Sequence, residues 1–126
     1  MSKSVLVVED DPDGQELISR MLFRAKIPVE VTGTAEDALS VLSLDEHAIA
    51  VIDLALPKMD GFDLLKQIRG NDSTKTLHCV AVTAFHTPAL RQRVMEEGFD
   101  GYFAKPIDDR RFLATLTDVY NDITNN

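Results

Sequence analysis

Residues 48–61 read A-I-A-V-I-D-L-A-L-P-K-M-D-G, an unbroken apolar run that stops at Asp53 and gives way to turn residues. Ala, Ile and Val without polar alternation suit a parallel strand covered on both faces, and Pro57 with Asp60-Gly61 supplies the turn beyond it. Asp53 therefore falls at the C-terminal end of a strand, the edge at which open α/β sheets bind ligands. Two readings stay open at this point: a site carboxylate, or an aspartate bonded to its own loop.

Working outward, residues 4–8 form a second apolar run, V-L-V-V after Ser4, that also ends in acids, Glu9-Asp10-Asp11. Pro12 suits the first turn of a helix, and Leu17, Ile18, Met21, Leu22 and Ala25 recur at helical spacing. Residues 29–32 read as a short strand. Thr34 with Asp37 resembles a capping box for a helix carrying Ala38, Leu39 and Leu42. After Gly61, the apolar positions Phe62, Leu65 and Ile68 predict a third helix, closed by the polar loop 70–73. Residues 77–82 are a fourth strand ending at Thr83-Ala84. Thr87-Pro88 opens a helix through Glu97, with Gly98 as its stop. Residues 100–104 are a fifth strand running into Lys105-Pro106. Phe112, Leu113, Leu116, Val119 and Tyr120 stripe a last helix from about Asp109.

Five strands alternating with five helices imply right-handed crossovers and a doubly wound parallel sheet, α/β in class. Residues 1–126 make a single domain, and the strand order that suits it is 2-1-3-4-5, a flavodoxin-like (βα)5 arrangement with its switch point between the first and third strands. Glu9, Asp10 and Asp53 flank that crevice.

Composition narrows the function. The 126-residue chain is 44% apolar, ample for one core, and its formal net charge of −8 disfavours nucleic acid and anionic lipid as partners. No apolar run approaches the length of a membrane span and no signal-peptide pattern opens the chain, so a cytoplasmic protein is expected. The one cysteine, Cys79, lies in an apolar stretch and reads as a small core side chain. His47, His78 and His86 have no metal-ligand spacing and read as bystanders.

The strand ends together offer Glu9 and Asp10, Asp53, Thr83 and Lys105 on one edge of the sheet. Carboxylates about 4 Å apart repel by roughly 4 kcal/mol at an effective dielectric near 20, so the cluster calls for a cation or a raised pKa. Oxygen-only donors favour Mg²⁺ over Zn²⁺, with waters and a phosphate completing the shell. An ammonium at Lys105 suits pairing with Asp53 and, with phosphate bound, with a phosphoryl oxygen. Asp11 is the alternative cap of the first helix, and Asp60 reads as turn chemistry.

E-D-D after the first strand, D-L-A-L-P-K-M-D-G around Asp53, T-A after the fourth strand and G-Y-F-A-K-P at the fifth together resemble the receiver domain of two-component response regulators. The resemblance spans essentially the whole chain. It implies that Asp53 is phosphorylated by a sensor histidine kinase or histidine phosphotransferase, with Mg²⁺ held by Glu9, Asp10, Asp53 and the backbone carbonyl of Ala55. It also implies that Thr83 and Tyr102 are a switch pair, that Lys105 is the basic residue of the site, and that the Lys105–Pro106 peptide is cis. Output then passes to a downstream protein on the face made by the fourth helix, fifth strand and fifth helix, where Arg91, Arg93, Arg110 and Arg111 give a basic character. In receivers the side chains at the positions of Ala55 and Phe85 orient or obstruct the hydrolytic water; neither offers a polar group here, and a slow loss of phosphate is expected.

Two rival functions are weaker. A phosphatase acting through an aspartyl nucleophile resembles D-x-D-x-T, and Ala55 stands where its general acid would be. A flavin-binding electron carrier of the same fold needs a glycine- and hydroxyl-rich loop after the first strand, and E-D-D-P-D would repel the cofactor's phosphate.

Overall fold

A computed structural model describes residues 2–125. The elements come in strict alternation: β1 (Ser4–Val8), α1 (Pro12–Arg24), β2 (Val29–Thr32), α2 (Ala35–Val41), β3 (His47–Asp53), α3 (Gly61–Arg69), β4 (His78–Thr83), α4 (Pro88–Glu96), β5 (Gly101–Ala104) and α5 (Asp109–Thr124). All strand pairs are parallel and the order is β2-β1-β3-β4-β5, as the alternation predicts.

The unbroken apolar runs exist because successive residues feed two separate cores. In β1, Val5 and Val7 face a layer made by α1 and α5, while Leu6 and Val8 face a layer made by α2, α3 and α4. In β3 the same division sends Ile49 and Val51 to one side and Ala50 and Ile52 to the other; in β4 Val80 and Val82 oppose Cys79 and Ala81. The first layer is closed by Ile18, Met21, Leu22, Phe112, Leu116 and Tyr120, the second by Ala35, Ala38, Leu64, Leu65, Ile68 and Val94. Each fully buried aliphatic or aromatic side chain contributes about 1.5–3 kcal/mol. β3 is buried along its entire length, so Asp53 is the last residue of the most deeply buried strand.

Three sequence expectations shift by a residue or a face. Leu17 is 44% exposed rather than buried. The stripe of α1 centres on Ile18, Met21 and Leu22, which leaves Leu17 about 100° round the helix, beside a groove shared with Pro106 and Ile107. Leu64 is wholly buried in α3, whereas Phe62 is only partly so, stacking edge-on against Phe99 with ring centroids 6.0 Å apart. Leu42 has left the helix and caps α2 in an extended conformation.

The sheet's opposite end is fastened by one side chain. The Arg69 guanidinium, from the last turn of α3, donates to the carbonyls of Leu77 (2.6 Å), Lys75 (2.9 Å) and Gly98 (2.8 and 3.2 Å) and to the Asp100 carboxylate (3.0 Å). Asp100 in turn accepts from the backbone N–H of Cys79 at 2.9 Å. These groups lie where β4 and β5 begin, and an arginine with its five donors satisfies carbonyls that strand pairing leaves over. His47 is likewise structural: its Nε2 lies 2.7 Å from Glu30 and its Nδ1 accepts from the N–H of Ser43.

Candidate functional site

Asp53 is brought to the sheet's C-terminal edge by β3 and fixed there by bonds to both carboxylate oxygens. Its Oδ1 accepts from the N–H of Ala55 at 2.9 Å and its Oδ2 from Lys105 Nζ at 2.9 Å. The chain then turns through Lys58, whose φ of 63° is in the left-handed region, and enters α3. Asp60 is more than a turn residue. It caps α3 by accepting from the N–H of Asp63, whose carboxylate returns the bond to the N–H of Asp60, a capping box absent from the sequence expectation. Gly61 comes next, its N–H donating to the carbonyl of Leu54 at 3.1 Å. A Cβ there would lie 2.7 Å from the Asp53 carbonyl oxygen, so a glycine is required for α3 to start this close to the Asp53 backbone.

Glu9 comes from the residue just after β1. Its backbone is held on both sides: its N–H donates to Thr32 and its carbonyl accepts from the Gln15 amide at 2.7 Å. Its carboxylate is buried, with Oε1 2.7 Å from Lys105 Nζ. Asp11 is the N-cap of α1, the alternative the sequence left open for it, accepting from the N–H of Asp13. Lys105, at the end of β5, thus spans Glu9 and Asp53 as an internal counter-ion. The Lys105–Pro106 peptide is cis.

The charges pull against one another. Burial, and then the neighbouring Asp53, push the Glu9 carboxyl up to about 7, against the opposing pull of Lys105. Burial raises Asp53 too, but the neighbouring Glu9 carboxyl, the N–H of Ala55 and the Lys105 ammonium together outweigh that and hold its carboxyl below the usual range. For Lys105 burial favours loss of the proton, and the two carboxylates reverse this and raise it.

The cluster fits a metal ion. Oxygens from Glu9, Asp10 and Asp53 lie within 4.8 Å of one another. Glu9 Oε2 is buried without a hydrogen-bond partner, a cost that a bound cation would remove. All donors are carboxylate oxygens, the chemistry of hard divalent ions.

Thr83 ends β4 buried beside this cluster, its Oγ1 accepting from the N–H of Phe85 at 3.0 Å. Tyr102 is not adjacent to it through any bond. Its hydroxyl pairs with Nδ1 of His86 at 2.7 Å, and the two rings lie 5.6 Å apart. Sequence reasoning set His86 aside because no metal-ligand spacing included it; its place three residues after Thr83, opposite the aromatic of β5, was the available signal.

A family model described as the response regulator receiver domain matches residues 5–117. The chain belongs to that family. This receiver is 38% identical to an uncharacterised 14.6 kDa protein of Leptolyngbya boryana, over 89% of its own length and 86% of the relative's. It is 35% identical to the two-component response regulator ORR3 of Oryza sativa subsp. indica, over 82% and 79% of the two chains. Among solved structures, the non-phosphorylated HemR receiver domain of Leptospira biflexa is 30% identical with a TM-score of 0.83, covering 94% of each chain. Among the receiver's described residues no helix is long and apolar enough to cross a membrane.

On the receiver's α4–β5–α5 face the arginines are unequally engaged. Arg93 turns away from that face towards α3, stacking 3.9 Å over Phe62 and pairing with Glu97 at 2.8 Å, contrary to the sequence expectation, and Arg111 lies 5.7 Å over Phe103. Arg91 and Arg110 make no such contact among the described residues.

Proposed function

We propose that this receiver takes a phosphoryl group onto Asp53 from a sensor histidine kinase or histidine phosphotransferase and passes the event on as a change of shape. The observation that carries the reading is Asp53 itself, a buried carboxylate at a strand end with an ammonium at 2.9 Å and two further acids close by. An Asp53 oxygen attacks phosphorus as the P–N bond to the donor imidazole breaks, so a carboxylate and a phosphoramidate become an acyl phosphate and a free histidine. Glu9, Asp10, Asp53 and the Ala55 carbonyl would hold Mg²⁺, which when bound supplies the positive charge that a phosphoryl group among carboxylates requires. Lys105 exchanges its bond to Asp53 for one to a phosphoryl oxygen, and the Thr83 hydroxyl donates to another. Tyr102 then turns inward behind Thr83, which carries the change to the α4–β5–α5 face. There Arg91 and Arg110 suit an acidic surface on a downstream protein.

Acetyl phosphate with Mg²⁺ should produce a hydroxylamine-sensitive label on the wild type and none on Asp53→Asn. Undiminished labelling of that variant, or labelling that survives a chelator, would overturn the assignment.

A further inference from the structure

Gly14 occupies the first turn of α1, a poor place for glycine, which apart from proline is the weakest helix former. Its backbone is not left-handed, so the helix itself does not require glycine. The space does. A Cβ on residue 14 would lie 2.0 Å from Glu9 Oε1, 2.9 Å from Glu9 Cδ and 3.1 Å from Glu9 Cγ. The three nearest atoms all belong to the Glu9 side chain, which is 1% exposed.

We infer that Gly14 is a positioning residue of the phosphoacceptor site: its missing side chain leaves a seat under the first turn of α1 where Glu9 Oε1 accepts the Lys105 ammonium while no metal is bound. Oε1, the atom that fills the seat, is the one bonded to Lys105 at 2.7 Å. The Glu9 backbone is held by Thr32 and by Gln15, so a side chain at residue 14 displaces the carboxylate rather than the strand. Displaced, it gives up Lys105, and its carboxylate, with an oxygen already within 4.8 Å of those of Asp10 and Asp53, is left to the cation. The metal-free form loses a charge-assisted bond that the metal-bound form does not use. The seat therefore acts as an internal competitor for the cation, and this rests on the metal reading proposed above.

Gly14→Ala should raise Mg²⁺ affinity about tenfold, the equivalent of one charge-assisted hydrogen bond removed from the metal-free competitor, followed through amide chemical shifts. In chelator, Gly14→Ala should lower the urea midpoint of the wild type yet raise that of Glu9→Ala, where the clash is gone and only the helix preference remains. Stabilisation in both backgrounds, or an unchanged Mg²⁺ affinity, overturns the inference. Should Gly14→Ala fail to fold, rescue by Glu9→Ala supports the seat, and failure of the double variant as well overturns it. A wild type that does not respond to Mg²⁺ removes the metal reading, and the cycle in chelator then decides the seat alone.

Discussion

Replacing Gly61 with alanine puts a methyl group 2.7 Å from the Asp53 carbonyl oxygen and 2.8 Å from the Leu54 Cα. Carbon prefers neighbours at about 3.5 Å or more, so the two backbones must part by roughly 0.7 Å. Both atoms are main chain, and no rotamer relieves the contact. Overpacking of this kind costs about 1–3 kcal/mol, and the alanine returns about 0.5–1 kcal/mol through its lower conformational entropy in the unfolded chain. A net loss of about 1–2 kcal/mol is expected in urea unfolding. The displaced atoms carry Asp53, and a misplacement near 1 Å costs on the order of a hundredfold in rate, so labelling by acetyl phosphate should slow about tenfold. A variant as stable as the wild type and labelled as fast would refute the reasoning, because the loop would then have absorbed the methyl without moving Asp53.

Metal-free protein should lose stability as pH rises from about 4.5 to about 7: in that window the folded state keeps a proton on Glu9 that the unfolded chain has released. The lowering of Asp53 acts below its ordinary 3.8 and does not enter this window. Urea midpoints in chelator should fall between pH 5 and pH 7.5 and flatten in Glu9→Gln; a rise with pH in the wild type contradicts the charge assignment. His86→Ala removes the hydrogen-bond partner of the Tyr102 hydroxyl, and the Tyr102 ring resonances should move towards those of the beryllofluoride-bound wild type; unmoved resonances would show that the bond does not hold the ring outward. Ala55→Asn with Phe85→Glu should hasten loss of the label in single-turnover decay, since Ala55 has no group to hold water and Phe85 is 71% exposed. A wild type that decays as fast as that double variant would place the water-holding group elsewhere.

The order of elements was legible because β1, β3 and β4 feed two cores and so cannot alternate, which makes the polar residue that ends each run conspicuous. Asp53, Glu9 and Lys105 stand out in the sequence for that reason: each interrupts an apolar run at the end where parallel strands converge, and the structure brings the three side chains together. Their bonding was not legible. That Lys105 bonds Glu9 as well as Asp53 depends on a side-chain path from β5 across to β1, and that Gly14 faces Glu9 depends on the pitch of α1. The contact of His86 with Tyr102 was not legible either, because it joins a loop residue to a strand across the fold and no metal-ligand spacing marks it. The Asp60–Asp63 capping box was missed because aspartate at both positions departs from the Ser/Thr-x-x-Glu pattern by which such boxes are recognised.

The fan of bonds from Arg69 makes the sheet mechanically unequal end to end. One guanidinium gathers the starting points of β4 and β5 with the stretch that joins α4 to β5, so on that side the two strands are tied as a single plate. At the other end the same strands finish in Thr83 and Lys105, whose partners are a backbone N–H and two carboxylates that a phosphoryl group would rearrange. A plate clamped along one margin answers a push at the other by pivoting rather than sliding. On the proposed reading, displacement at the Asp53 edge should grow with distance from Arg69 and be greatest in the β4–α4 loop, where Phe85 and His86 stand in solvent.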